Sequence, residues 1–282
     1  MPNVRFAYLL IPVFFAACSQ NNVKEDPSLQ RYFDSAGVKG TFGLFDNGQG
    51  SFTIYDLPRY RDSAYQPEST FDIFQSLVAI QTGVVKDDST IIFTGDTAVR
   101  VDSTNPNGQE AFHQAKMSLR DCFRSPGLGQ PGFSGLARHI GRDTLKKWID
   151  SVHYGNQDLG DTGTDFWFNG HLKISADEQL GLIKQLYFNQ LPFFQHTQRL
   201  VVSMMPVEAN SNYRLAYKTG WGFKAGDRHP IGWVMGWVEE NKHPYFFVIN
   251  LESEDPKADI QIKGFQIVKG ILRQLGFFEG KK

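Results

Sequence analysis

Ser69 and Asp72 stand three residues apart in the stretch ESTFDIFQSLVAIQTG, residues 68–83, just ahead of Phe71, Ile73, Phe74, Leu77, Val78 and Ile80. That apolar spacing fits one face of an α-helix, so both polar residues fall at a helix start. A serine there has two uses. It can cap the helix, its hydroxyl taking an orphan backbone N–H while an acidic residue at the third position complements the positive end of the dipole. It can also attack a carbonyl, because the backbone N–H groups of a helix start stabilise a developing oxyanion, provided a base lies within reach. Far downstream, Lys218-Thr219-Gly220 is followed by Trp221-Gly222 in a β-rich run. A lysine there offers a cation to an anionic ligand; the plain alternative is a solvated lysine at a strand end. Alone, the triplet is a weak signal.

The elements that would position these residues are legible as periodicities. TFGLFDNGQGSFTIYD, residues 41–56, holds two β-rich runs around Asp46-Asn47-Gly48-Gln49-Gly50, which predicts a hairpin. Between about residues 86 and 200 the segments are helix-like, including SGLARHIGRDTLKKWIDSV and ADEQLGLIKQLYF, and predict a mainly helical lobe. YRLAYKTGWGF, IGWVMGWVEE and YFFVINLES then predict an antiparallel meander, and IKGFQIVKGILRQLGFF a helix packed across it. No internal repeat is visible, so the expected fold class is α+β: one two-lobed unit, an antiparallel sheet flanked by helices with an inserted helical lobe.

With 282 residues, 41% hydrophobic and 14% aromatic, the chain is long enough to bury a full core. A formal net charge of −1 and the lack of a Lys/Arg run argue against a nucleic-acid partner. After Arg5 the apolar run FAYLLIPVFFAAC is too short to span a bilayer comfortably and ends in small residues, as a secretory signal peptide does. Phe15-Ala16-Ala17-Cys18 resembles a bacterial lipobox, which predicts a signal peptide over 1–17, acylation of Cys18 and a polar tether over 18–39 ahead of a domain spanning 40–282. The expected location is the cell envelope, lipid-anchored at the outer membrane or facing the periplasm. With Cys18 spent on lipid, Cys122 is left without a disulfide partner and is assigned no role. His113, His139, His153 and His171 lack metal-ligand spacing, so neither a metal nor another cofactor is expected.

The order of the motifs resembles the serine β-lactamases and penicillin-binding proteins, which carry Ser-x-x-Lys at a helix start and Lys-Thr-Gly on a strand of the same cleft. The match sharpens toward the class D, oxacillinase-type family. STFDIFQSLVAIQTGVVKD is similar to its nucleophile helix, Tyr154-Gly155-Asn156 to its Tyr/Phe-Gly-Asn motif, and DFWFNGHLKIS to the stretch carrying its active-site tryptophan, here Trp167; YKTGWG and GWVMGWVEE complete the pattern from about residue 40 to 278. The resemblance implies a penicillin-type cleft with Ser69 in the nucleophile position and the backbone N–H groups of Ser69 and Trp221 as oxyanion hole. It implies that Tyr154, Asn156, Trp167, Thr219 and Gly220 belong to the site, the alternatives being a core place for Trp167, which here lacks the lysine it would pack against, and plain turn and cleft-wall roles for Tyr154 and Asn156.

Three departures qualify it. The family has a carboxylated lysine, its base, where this chain has Asp72; Asp forms no carbamate and, at its ordinary pKa of about 3.9, is a poor base for a hydroxyl. The family's Ser-x-Val gives way to DCFRSPGLGQPGF, which reads as a loop; counting back from LARHIG puts Leu128 at the serine's place, and spacing does not support Ser125 as its replacement. No Arg occurs between His229 and Leu272 to meet a substrate carboxylate, leaving Lys257 and Lys263 as the nearest cations. The expectation is an envelope lipoprotein whose cleft takes a β-lactam or a cell-wall peptide-like ligand and hydrolyses it poorly. The alternatives are an active class D β-lactamase with Asp72 as a water-mediated base, and a non-catalytic scaffold.

Overall fold

The computed structural model describes residues 22–100, 110–125 and 127–282. Cys18 and the apolar run before it lie outside the described residues. In chain order the strands are β1 (Val23–Glu25), β2 (Lys39–Asp46), β3 (Ser51–Tyr55), β4 (Ala64–Tyr65), β5 (Ile91–Arg100), β6 (Glu110–Ser118), β7 (Ile174–Ser175), β8 (Val207–Ala209), β9 (Arg214–Phe223), β10 (Pro230–Glu240) and β11 (His243–Glu252). The helices are α1 (Gln30–Ala36), α2 (Leu57–Asp62), α3 (Asp72–Gln81), α4 (Leu119–Arg124), α5 (Gln130–Ile140), α6 (Arg142–Val152), α7 (Ala176–Tyr187), α8 (Gln195–Met204) and α9 (Ile260–Gln274).

The seven-stranded main sheet runs β1-β3-β2-β11-β10-β9-β8, and every pairing except β1 with β3 is antiparallel. The hairpin expected over 41–56 is β2–β3, and the expected meander is β9–β10–β11. β10 and β11 are buried along nearly their whole length, since helices cover both faces. Side-chain alternation sorts the two layers: Trp233, Met235 and Trp237 enter the core that holds α3, α5 and α7, while Val234 and Val238 enter the core beneath α9. The same alternation governs β9. Ala216 faces the α3 layer and Leu215 the α9 layer, so Lys218, Gly220 and Gly222 point toward α3.

Three expectations need correction. Residues 23–39 are not a free tether: β1 pairs with β3, Phe33 of α1 is buried, and Arg31 bonds Gln274 of α9 at 2.8 Å. Nor is the stretch 86–200 helical throughout, because β5 and β6 form an antiparallel hairpin before α4. The β-branched and aromatic content of β5 favours a strand, and β6, which has little of it, is held as one by pairing with β5. The loop expected over 124–133 is shorter than its glycines and prolines suggested. α5 begins at Gln130, and Pro131 sits in its first turn, where a missing N–H costs nothing.

Candidate active site

The chain enters α3 through a single 3-10 turn, Glu68–Phe71, and this turn decides what Ser69 does. No side chain caps either the turn or α3, so the capping alternative for Ser69, and the helix-start role for Asp72, are not the ones the fold uses. The turn is fastened by other groups. Thr70 Oγ1 donates to Pro67 O at 2.6 Å and accepts from Gln179 Nε2 at 2.8 Å, while Trp233 Nε1 donates to Gln66 O at 2.8 Å. Ser69 is half-buried, and neither its hydroxyl nor its N–H makes a hydrogen bond to a described residue. An N–H left free at a helix start is available to an incoming oxyanion.

β9 runs flush against this turn. A Cβ on Gly220 would lie 2.8 Å from Thr70 N and 3.0 Å from Ser69 N, and one on Gly222 would lie 2.3 Å from Glu68 Oε2. Only glycine at both positions lets strand and turn meet. Along one face of the strand, Lys218, Gly220 and Gly222 therefore oppose Asp72, Ser69 and Glu68 in turn. Tyr217 N donates across the strand edge to Pro206 O, and the two-residue period sends the Trp221 N–H to that same edge. β8 pairs with β9 only as far as Ala216, leaving the edge at Trp221 uncovered by a strand.

The two acidic residues flanking Ser69 live in different surroundings. Asp72, 3% exposed, accepts from the Lys218 ammonium at 2.8 Å, and Lys218 is itself only 2% exposed and lies 5.0 Å from the Phe123 ring centre. Burial pushes the Asp72 carboxyl up to about 6, and the ammonium opposes that rise. Each ion neutralises the other, so Lys218 is not the free cation expected in the cleft, and Asp72 is engaged where a base would have to be free. Glu68, 2% exposed at φ 52, is a residue that spacing could not single out. Its Oε1 accepts from Gln66 Nε2 at 2.6 Å, and Oε2 has no described partner. Burial pushes its carboxyl up to about 8; the Gln66 hydrogen bond lowers it and the Asp72 charge raises it.

Ser69 and Glu68 line a cleft of about 350 Å³ with Gln130, Phe168, Trp221 and Phe223. Trp221, 38% exposed, and Phe223 form an apolar mouth, and the exposed Arg228 guanidinium lies 5.9 Å from the Phe223 ring centre with no carboxylate paired to it among the described residues. Thr219 points to the opposite face of β9, where it lines a second cavity of about 430 Å³ with Tyr217, Gln261 and Phe265. Tyr154 and Trp167 are buried against Phe71, with ring centres 5.3 and 5.4 Å away, and act as core supports of the turn rather than cleft walls. Asn156 bonds His171 O and accepts from Lys173 N, closing a turn instead of facing Ser69. Neither Leu128, which is exposed, nor Ser125 lines the Ser69 cleft. Lys257 is exposed, and Lys263 donates to Ala36 O, so neither serves this cleft. Cys122 is buried, and its thiol is pushed up to about 12 by burial, with the Asp121 and Asp72 charges adding to the rise.

A serine at a helix start, packed flush against a Lys-Thr-Gly strand that lines the same cleft, defines a serine β-lactam-recognising fold. Comparison with known proteins agrees. The penicillin-binding protein transpeptidase domain family matches residues 30–273. The β-lactamase OXA-3 of Pseudomonas aeruginosa is 32% identical over 273 residues, 96% of this chain and 93% of the relative. Among solved structures, FUS-1 (OXA-85), a class D β-lactamase from Fusobacterium nucleatum subsp. polymorphum, superposes with a TM-score of 0.76 at 29% identity, covering 92% of this chain and all of that one. The C-terminal domain of the Bacillus licheniformis BlaR penicillin-receptor does so with a TM-score of 0.74 at 27% identity, covering 92% and 98%. This chain belongs to the penicillin-binding protein and class D β-lactamase family.

Proposed function

We propose that this protein captures β-lactams, or cell-wall peptides of like shape, as an adduct on Ser69 that it turns over poorly. The observation that carries the reading is the buried pair of Asp72 and Lys218, 2.8 Å apart, at the position where the family keeps its carboxylated lysine. A base must be free to take the serine proton and later to activate water; an ion pair sealed from solvent is poorly suited to both tasks. The rest of the machinery supports recognition. Ser69 N–H is unspent, the edge of β9 is open, and main-chain donors persist when side chains change. Trp221 and Phe223 offer an apolar wall to a ligand side chain, and Arg228 a cation to its carboxylate.

The test is intact mass of the protein after exposure to benzylpenicillin, followed over time. A lasting adduct on Ser69 is the expected result. Rapid release of hydrolysed penicillin would make the protein a working β-lactamase, and no adduct would favour the scaffold reading. We further propose that Cys18 is acylated and anchors the mature chain to the envelope, a reading that rests on the Ala-Ala-Cys ending of the short apolar run. Membrane partition that Cys18→Ser abolishes is expected, and wild-type protein found soluble and unlipidated would end that claim.

A further inference from the structure

We propose that Glu68 is the proton acceptor for Ser69 in this cleft, the part that Asp72, held by Lys218, does not play. The inference rests on the reading of the cleft as one that reacts with β-lactams. Three observations carry it. First, Glu68 stands at φ 52, a left-handed conformation that strains a non-glycine residue, and its side chain is turned under Gly222 rather than out to solvent. Second, one carboxyl oxygen is held by Gln66 Nε2 while the other has no described partner and belongs to a residue that lines the Ser69 cleft. Third, the carboxyl lies under Gly222 and Ser69 N under Gly220, neighbouring positions on one face of β9. Both residues line the same cleft, where water can carry a proton from the serine hydroxyl to that carboxyl.

Gln66 holds the geometry rigidly. Its Nε2 also faces Phe168 O at 3.0 Å and Phe223 O at 2.8 Å, and its Oε1 accepts from Ala225 N at 3.1 Å, joining the turn to both walls of the cleft. The charged groups facing Glu68 are few. α3 contributes Asp72, β9 contributes Lys218, which is bound to Asp72, and the Glu239 and Glu240 of β10 lie at the far end of that strand from Gly232 and Trp233, which flank the turn. Arg228 stands at the cleft mouth beside Phe223, and among the described residues no cation is paired with Glu68, so burial pushes its carboxyl up to about 8.

In the step this implies, Ser69 Oγ bonds to the β-lactam carbonyl carbon and its proton passes through the water to the Glu68 carboxylate. The ring C–N bond then breaks, and the nitrogen takes a proton from the now neutral Glu68 carboxyl, which returns to carboxylate. No oxidant, reductant or further reactant is needed.

The experiment measures the rate of adduct formation on Ser69 from pH 5.5 to 9.5, with benzylpenicillin and with a fluorophosphonate, in wild type, Glu68→Gln and Glu68→Asp. Glutamine keeps the shape of the neutral acid, and a thermal midpoint measured beside each rate identifies a variant that has failed to fold. For wild type the rate rises with pH through about 8. Glu68→Gln lowers it by roughly a hundredfold and flattens the profile, the scale on which a positioned base acts. Glu68→Asp, shorter but ionisable, restores part of the slope. A folded Glu68→Gln that reacts at the wild-type rate with the wild-type profile overturns the role of Glu68 and leaves the β-lactam reading standing. Reaction with fluorophosphonate alone overturns the β-lactam reading, and the role of Glu68 is then decided on that probe. A wild type that reacts with neither overturns both.

Discussion

Ser69 has a carboxylate on each side, and the two sides of the turn solve the same physical problem in opposite ways. At Asp72 the burial of a charge is answered with a second charge, the Lys218 ammonium 2.8 Å away. At Glu68 no cation is supplied, and the group avoids the cost by holding its proton to about pH 8. Chain neighbours four residues apart thus differ more in chemistry than Asp and Glu do in general. The lesson is that the role of an acidic residue here follows from what faces it across β9. The paired carboxylate is locked into structure, and the unpaired one keeps a proton that it can exchange.

The largest effect should come from breaking the paired side. Lys218→Met removes the ammonium and leaves Asp72 uncompensated at 3% exposure, at an expected cost of about 3–5 kcal/mol of unfolding free energy in a denaturant titration. The double variant Lys218→Met/Asp72→Leu should recover most of that loss, because two apolar groups in place of a buried pair are often neutral. A single Lys218→Met costing under about 1 kcal/mol would show that Asp72 does not depend on its partner, and the comparison would collapse.

The next effect tests the unpaired side through pH. The carboxyl of Glu68 is raised from 4.5 to about 8, so between those values the folded chain holds a proton that the unfolded chain has released. Stability then falls as pH rises through that window and levels off above it, by a total of a few kcal/mol. Asp72, raised from 3.8 to about 6, contributes a fall of the same sign that is complete at a lower pH. Between pH 6 and 8 the slope belongs to Glu68. Unfolding titrations at pH 6, 7 and 8 should show wild type losing stability across the window and Glu68→Gln nearly flat. Equal slopes in the two proteins would mean that Glu68 titrates as an ordinary exposed carboxylate.

The contrast between the two sides also marks where the sequence stops being informative. Periodicity is a local property, and it placed α3, the β2–β3 hairpin, the β9–β11 meander and α9, because each of those elements buries one face against the sheet. It misassigned residues 23–39, whose pairing with β3 and contact with α9 are made across long sequence separations. It took residues 91–118 as part of a helical block because their strand character depends on pairing with each other. At the site, Ser69, Lys218 and Gly220 were identifiable from a family pattern. The engagement of Lys218 with Asp72 was not, since 146 residues separate them and either could have faced solvent. Glu68 carried no signal at all. A glutamate beside a proline reads as an exposed turn residue, and only the approach of Gly222 reveals that its side chain is folded inward.

The smallest expected effect makes that approach measurable and separates contact with a side chain from contact with a backbone. Gly222→Ala would place a Cβ 2.3 Å from Glu68 Oε2, the end of a side chain confined by Gln66, and should cost about 1–3 kcal/mol. Gly220→Ala meets Thr70 N at 2.8 Å and Ser69 N at 3.0 Å, main-chain atoms that no side-chain truncation can move. In a Glu68→Ala background the cost of Gly222→Ala should shrink, giving a coupling of about 1 kcal/mol in a double-mutant cycle, while the cost of Gly220→Ala should stay as it was. Thermal or denaturant unfolding of the single and double variants supplies all the terms. Coupling at Gly222 but not at Gly220 places the Glu68 carboxyl between turn and strand, as the proton transfer to it requires. Additive costs at both positions would put that carboxyl elsewhere, out of reach of Ser69.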